Sequence, residues 1–367
     1  HRAHHLHIHH RHSTHRPQVP QVTATPHRAT RKHTMSAPAN ILLAPHPATG
    51  RILWLDLVRV LAVYSIVVSH TYLEYLTLEQ ANFIKLFIGS AMPFIMASGS
   101  LIFPVRPSAG AFYRRRFRTY IPQFIVWSVV YALVQWHVSP NYDLTKALLY
   151  LPFAPTWGAG WFLYGLTGLY LIAPVISPWI TSASPRQLRW FLAAWAFSGL
   201  TPWVIQQTYC NPLYTVVGPF YGFIGFLVAG YYLTHYPLIS LPPRSRFLVL
   251  AAIFIVAVPV GIRLFITANR WGYAETLWND LSINQMAMSV FWFALFSLCA
   301  RGLLDTPAWL ARAITVVSTA SLGIYLMHTL IFEYILFPMG VAALPATLIT
   351  IAASTLLAIL SHRYLHF

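Results

Sequence analysis

The composition of the chain excludes a water-soluble protein. Of its 367 residues, 57% are hydrophobic and only 9% are charged, and the mean hydropathy is +0.57. Soluble domains carry about 25% charged residues, so this chain has too few charges to cover a surface in contact with water. Its recurring apolar runs indicate a membrane protein with several spans.

The net charge of +16 has the distribution of a membrane protein rather than that of a nucleic-acid-binding protein. The chain holds 24 basic and 8 acidic side chains. After residue 34, the basic residues lie mostly in short loops between apolar runs, where such residues fix membrane orientation. We therefore expect no nucleic-acid partner. Two cysteines, Cys210 and Cys299, are too few for a disulfide framework.

The N-terminal 50 residues are predicted to be a disordered tail and lead-in. Residues 1–34 are rich in His, Arg and Pro and show no hydrophobic periodicity. This tract either binds metal or is an upstream extension of a chain that starts at Met35. No signal peptide is expected, and residues 35–50 are interpreted as a flexible lead-in. The functional domain is predicted to cover residues 51–367.

The sequence predicts an all-α bundle of about ten transmembrane helices. A helix needs about 20 apolar residues to cross a bilayer. The predicted spans are residues 53–73, 82–103, 120–138, 161–180, 188–206, 220–236, 247–266, 283–300, 316–337 and 341–360. Lys and Arg concentrate in the loops on one side, so both termini are predicted to be cytoplasmic. The short amphipathic segment 144–153 is expected to lie along the outer interface.

The first span carries three ionisable residues, Asp56, Arg59 and His70. At about 100° per residue they fall on one stripe about 60° wide, which must face the bundle interior or a water-filled cavity. Asp56 and Arg59 are one turn apart and can pair. His70 lies roughly 21 Å further along the axis and needs a partner. The alternatives are a structural ion pair with a packing histidine, or a functional site in which His70 is a base.

Two further clusters are candidates. Arg114, Arg115, Arg116 and Arg118 precede the third span and either fix topology or bind an anion, since Arg115 and Arg118 point one way on a helix. The ninth span has Tyr325 and His328 on one face, with Glu333 further out. His328 is interpreted as a hydrogen-bonded strut or as a second catalytic group.

Taken in order, these segments resemble the acyltransferase-3 family of integral-membrane O-acetyltransferases. The segments that carry the resemblance are LDLVRVLAVYSIVVSH, MPFIMASGSLIF, FYRRRFRTYIPQFIVWSVVY, WFLYGLTGLYLIAP, GFLVAGYYL and SLGIYLMH. Together they extend over about residues 51–360. No single segment is specific, and the resemblance is carried by the ordered set together with the spacing of Asp56, Arg59 and His70.

The resemblance implies transfer of an acyl group, usually acetyl, from coenzyme A to a hydroxyl of a cell-surface or lipid-linked glycan. It implies a catalytic role for His70, with Asp56 and Arg59 as its motif partners. It also implies that Arg115 and Arg118 hold the phosphates of the donor, although Arg114 or Arg116 could serve instead. We expect acetyl-coenzyme A as donor substrate, no metal, and a multi-pass location in the bacterial inner (cytoplasmic) membrane.

The sequence is compatible with more than one mechanism and function. His70 could activate the acceptor directly, or a covalent acyl-enzyme on His70, Ser69 or another residue could relay the acyl group. Tyr325 and His328 are candidate supporting residues. A secondary transporter or lipid-linked-sugar flippase would also have charged spans and basic loops, but the two halves show no convincing internal repeat.

Overall fold

The computed structural model describes residues 37–85, 88, 91–106, 108–201, 216, 218–263, 266 and 280–365. Within these ranges the chain is helical and contains no β-strand, as the sequence predicts. The helices are α1 Ala37–Leu42, α2 Leu53–His70, α3 Leu78–Lys85, α4 Met92–Ile102, α5 Ala109–Val138, α6 Leu144–Leu149, α7 Trp161–Ser182, α8 Pro185–Ser198, α9 Ile224–His235, α10 Pro243–Ile255, α11 Ile283–Cys299, α12 Ala308–Ile331 and α13 Ala343–Leu365.

Six helical segments of the described residues are long and apolar enough to cross a bilayer. Short 3-10 or π turns extend several of them. The six are Leu53–Tyr75, Ala109–Val138, Gly158–Ser182, Pro243–Arg263, Ala308–Leu336 and Ala343–Arg363. They match the first, third, fourth, seventh, ninth and tenth predicted spans, so the all-helical fold class and six of the predicted apolar helices are confirmed.

The other predicted spans have shorter helices in the described residues. The predicted span 82–103 is divided between the end of α3 and the 11-residue α4. Helices α9 and α11 have 12 and 17 residues, and the second half of the predicted span 188–206 lies largely outside the described residues. The total of ten spans and the cytoplasmic position of both termini therefore stay predictions.

Residues 37–50, where the sequence predicts a disordered lead-in, contain a helix and two buried side chains. Leu42 and His46 are both buried. The indole Nε1 of Trp54 donates a hydrogen bond to the Leu42 carbonyl at 2.7 Å, and Nε2 of His46 donates to the Thr306 carbonyl at 3.0 Å. These long-range bonds, which local sequence composition does not reveal, fix the lead-in against the bundle.

Helix α2 lies in the interior of the bundle and packs against α4, α11, α12 and α13. Nine of its 18 residues are buried. Its neighbour α12 also packs along α13, and α4 packs along α9. These contacts surround the polar stripe of α2 with protein rather than lipid, as the sequence predicts.

Helices α4 and α9 cross at very close range because small residues line their contact. A Cβ atom added to Gly230 would lie 1.9 Å from the Met96 carbonyl oxygen, and one added to Gly99 would lie 2.1 Å from the Leu227 carbonyl oxygen. At the same crossing, the hydroxyls of Ser100 and Thr234 are 2.8 Å apart. Close backbone approach between such residues is a common way for helices to associate within a membrane.

This crossing predicts that Gly230→Ala destabilises the protein. The added methyl group meets backbone rather than a movable side chain, so the two helices must separate, and overpacking of this kind costs about 1–3 kcal/mol. We expect a lower Tm for the purified protein in detergent. Gly168→Ala is the matched control, because nothing lies within 4 Å of its added Cβ. Equal Tm values for the two variants would contradict the tight crossing.

Candidate active site

The carboxylate of Asp56 is bound by groups from two different segments. Nε and Nη2 of Arg51 donate to Oδ2 and Oδ1 at 2.8 and 2.6 Å, and the Ser318 hydroxyl of α12 donates to Oδ1 at 2.7 Å. The structure thus pairs Asp56 with Arg51 and not with Arg59, to which the helical spacing also gave access. Arg51 lies just before the helix and approaches the carboxylate in the bidentate geometry that guanidinium favours, and this occupies both oxygens.

The Arg51–Asp56 pair stabilises the entry of the chain into α2. Hydrogen bonding to Asp56 raises the pKa of Arg51 above its ordinary value, so Arg51 stays charged and the pair is neutral overall. Asp56 itself is buried, whereas the Arg51 side chain is 39% exposed. Asp56 thus joins the segment before α2 to α12.

Arg59 is left without a carboxylate partner by this arrangement. Its Nε atom is buried and has no hydrogen-bond partner, and its guanidinium carbon lies 5.4 Å from the centre of the Phe94 ring. A buried polar hydrogen without a partner is costly, so the site suits an incoming acceptor of hydrogen bonds.

A cavity of about 690 Å³, here called the arginine cavity, opens beside Arg59. Arg115 and Arg116 of α5 also line it, and the Arg116 guanidinium lies 5.5 Å from the centre of the Tyr170 ring. Arg118, which the resemblance pairs with Arg115, is exposed and is not among the residues that line this cavity. Together with Arg51, four arginines therefore line a space of ligand size.

A second cavity of about 260 Å³, here called the histidine cavity, contains His70. Its other polar lining residues are Ser69, Glu74, Lys85, Asp280, Gln285 and Tyr325. Trp161 adds an aromatic face, and Ile66, Ile88 and Ala91 form the apolar part. This cavity is smaller than the arginine cavity, and no arginine of the described residues lines it.

The two cavities share two lining residues, Ile66 and Tyr325. Ile66 lies on α2 one turn before His70, and Tyr325 lies on α12. The Tyr325 hydroxyl donates a hydrogen bond to the Ala159 carbonyl. Ile66 and Tyr325, here called the boundary, belong to the walls of both cavities.

His70 packs against His328, with ring centroids 5.4 Å apart. His328 is fully buried, and its Nδ1 donates to the Tyr325 carbonyl at 2.5 Å. The Thr329 hydroxyl lies 3.2 Å from Nε2 of His328, so both ring nitrogens have partners within α12. His70 is only partly buried and lines its cavity, so of the two rings it is the one that a substrate can reach.

The sequence model of an acyltransferase domain matches residues 52–363 of the chain. It covers α2 to α13, and therefore both cavities and the boundary between them. The chain belongs to the acyltransferase-3 family. Comparisons with curated proteins and with solved structures found no match. The protein is thus an acyltransferase built from membrane-type helices.

The acyltransferase brings together most of the predicted site residues, in two groups. Arg59, Arg115 and Arg116 line the arginine cavity, whereas His70 lines the histidine cavity and Tyr325 lines both. Asp56 lines the arginine cavity through its pair with Arg51. Glu333 is exposed. No group of three or more His, Cys, Asp or Glu residues in the described ranges is arranged to hold a metal ion.

Sequence reasoning missed Arg51, Ser318 and Ile66. Arg51 precedes the apolar run of the first span, and Ser318 lies three residues before the segment SLGIYLMH. The only local signal for Arg51 was its spacing of five residues from Asp56, which does not suggest a contact on a helix. Arg59 lacks a carboxylate partner because Arg51 binds Asp56 instead.

This network predicts that Asp56→Asn destabilises the acyltransferase more than Ser318→Ala does. The asparagine loses the charge that binds Arg51, and hydrogen bonds to charged groups contribute about 1.5–3 kcal/mol. Ser318→Ala removes only one donor and leaves the bidentate pair. The measurement is Tm in detergent for both variants. A Tm for Asp56→Asn equal to that of the wild type would contradict a stabilising role.

Proposed function

We propose that this acyltransferase moves a short acyl group, acetyl in the first instance, from coenzyme A to a hydroxyl of a cell-surface or lipid-linked glycan. The observation that carries the proposal is the pair of adjoining cavities, one lined by four arginines, of which Arg51 is paired with Asp56, and one by His70. An anionic thioester donor and a hydroxyl acceptor need these two environments side by side. We place the protein in the bacterial inner membrane, with the arginine cavity open to the cytoplasm.

The arginine cavity suits the donor. Coenzyme A carries several phosphate groups, and guanidinium groups bind phosphate through charge-assisted, bidentate hydrogen bonds. Arg59 has a buried Nε without a partner, and the cavity volume lies within the range of about 300–1,000 Å³ that is typical for ligand sites. The phosphates bind Arg115 and Arg116 near the entrance, and the pantetheine arm extends past Arg59 to the boundary.

The histidine cavity suits a small acyl group and the reacting end of an acceptor. At about 260 Å³ it is below the usual range of about 300–1,000 Å³, which favours a short acyl chain over a fatty acyl chain. Glu74, Asp280 and Gln285 offer polar groups to sugar hydroxyls, and Trp161 offers an aromatic face.

His70 acts as the general base in this proposal. Its imidazole removes the proton of the acceptor hydroxyl as the oxygen attacks the thioester carbonyl, and the proton then passes to the departing thiolate of coenzyme A. His328, held by Tyr325 and Thr329, supports the His70 ring from behind. We favour direct transfer, since one carbonyl held at the boundary is adjacent to both cavities.

A donor-transfer assay tests the assignment of His70. Purified protein is incubated with radiolabelled acetyl-coenzyme A and a glycan acceptor, and the product and the protein are counted separately. We expect His70→Ala to lower turnover by about 10²-fold or more, while its affinity for coenzyme A stays within about twofold of wild type. His235→Ala is the matched control, because His235 lies on α9 and lines neither cavity.

Two outcomes of that assay, and one outcome of a separate translocation assay, would contradict parts of the proposal. Normal turnover in His70→Ala would show that His70 is not the general base. Label that stays bound to the protein in the absence of acceptor would favour a covalent acyl-enzyme over direct transfer. Movement of a lipid-linked sugar across reconstituted vesicles without esterification would favour a flippase.

The donor site predicts different effects for neighbouring arginines. Arg59→Ala and Arg116→Ala should each weaken coenzyme A binding by about tenfold or more, because each removes charge-assisted hydrogen bonds worth about 1.5–3 kcal/mol. Arg118→Ala tests the family resemblance against the cavity geometry. The resemblance predicts that this variant binds coenzyme A more weakly, whereas the geometry predicts little change in the affinity. Binding is measured by calorimetry at two salt concentrations.

Arg312→Ala is the control for loss of charge alone. Arg312 is exposed on α12 and lines neither cavity, so its removal changes the net charge by the same amount. Equal weakening by Arg312→Ala and Arg116→Ala would show that overall charge rather than the arginine cavity attracts the donor.

A further inference from the structure

The boundary between the two cavities is where the reacting carbonyl must lie. The donor phosphates bind among the arginines, and the acceptor hydroxyl is activated by His70. No arginine of the described residues lines the histidine cavity, and His70 is not among the residues of the arginine cavity. The thioester carbon therefore meets the acceptor oxygen next to Ile66 and Tyr325, the two residues that line both.

Only one of these two residues can donate a hydrogen bond. The Ile66 side chain is a hydrocarbon, whereas Tyr325 carries a hydroxyl. The Tyr325 ring is held by aromatic neighbours on either side, with centroids 5.3 Å from Phe162 and 5.5 Å from His328. Its side chain is 5% exposed, so the ring keeps its place at the boundary.

We propose that Tyr325 is a catalytic residue whose hydroxyl donates a hydrogen bond to the oxyanion formed during acyl transfer. This inference rests on the proposed function. As the acceptor oxygen bonds to the thioester carbon, the carbonyl π electrons move onto the carbonyl oxygen and His70 takes the acceptor proton. The Tyr325 proton stays on its own oxygen. The C–S bond then breaks as the carbonyl re-forms, and the thiolate takes the proton from His70.

The hydrogen bond that the Tyr325 hydroxyl already makes explains why this hydroxyl stabilises the transition state rather than the bound donor. That hydroxyl has one proton, which is now donated to the Ala159 carbonyl. A neutral thioester carbonyl is no better an acceptor than this amide carbonyl. Hydrogen bonds to an ionised oxygen are roughly twice as strong as neutral ones, so the exchange becomes favourable only when negative charge develops. An interaction gained only then raises kcat rather than donor affinity.

The test is Tyr325→Phe in the full-length protein reconstituted in nanodiscs with acetyl-coenzyme A and a glycan acceptor. Removal of a single oxyanion donor lowers kcat by about 10²–10³-fold. We expect a fall of that size, with the KM for the donor and the calorimetric affinity for coenzyme A within about twofold of wild type. The phenyl ring still fills the boundary, so the two cavities keep their shapes.

Tyr75→Phe is the matched control. Its hydroxyl also donates to a backbone carbonyl, that of Val341 at 2.6 Å, but Tyr75 lines neither cavity. We expect its kcat to stay within about threefold of wild type. Equal losses of kcat in Tyr75→Phe and Tyr325→Phe would make the effect structural and overturn the inference.

A second substitution keeps the test decisive if Tyr325→Phe does not fold. Incorporation of 4-aminophenylalanine at position 325 keeps the ring and a hydrogen-bond donor for Ala159, but the amine is a weaker donor than the phenol. We expect a kcat between those of the wild type and of Tyr325→Phe, or below wild type if the latter is unfolded. A kcat equal to wild type would overturn the inference.

The remaining outcomes separate this inference from the proposed function. Wild-type kcat in Tyr325→Phe, together with an inactive His70→Ala, would overturn the role of Tyr325 and leave the acyl transfer intact. A raised donor KM with unchanged kcat would make Tyr325 a binding residue and overturn the inference as well. Absence of transfer by the wild type from any acyl-coenzyme A would instead contradict the proposed function.

Discussion

The cost of placing charge in hydrocarbon determines how this bundle is arranged. A charged side chain at the centre of a membrane helix costs about 2.5–3.5 kcal/mol on insertion scales. Helix α2 carries Asp56, Arg59 and His70 on one stripe, so that stripe has to face protein or water. The helices packed around α2 provide the protein, and the two cavities provide the polar space. The central position of α2 and the existence of the site have the same physical cause.

The same constraint explains why the charged residues of α2 have different roles. Asp56 is satisfied by Arg51 and Ser318, which makes it a structural group. Arg59 has no such partner for its Nε and is therefore left for an anionic ligand. A direct Asp56–Arg59 pair would neutralise both groups and leave the deep part of the arginine cavity without positive charge. Because Arg51, in the segment before α2, binds Asp56, Arg59 of α2 stays available to bind an anion.

Separation of the two cavities gives each half of an acyl transfer its own environment. The arginines favour an anionic donor, and the mixed polar and aromatic lining around His70 favours an uncharged hydroxyl compound. The boundary of Ile66 and Tyr325 limits their contact to one place.

The sequence by itself determined the helical class, the membrane location of most long helices, the family, and the shared face of Asp56, Arg59 and His70. Hydrophobic runs and helical periodicity depend only on local spacing, so they can be read from one chain. The tertiary structure alone decided that Arg51 rather than Arg59 binds Asp56, that Arg116 rather than Arg118 lines the arginine cavity, and that Tyr325 lines both cavities. Those contacts join residues up to 262 positions apart, and only the packing of whole helices determines which side chains meet.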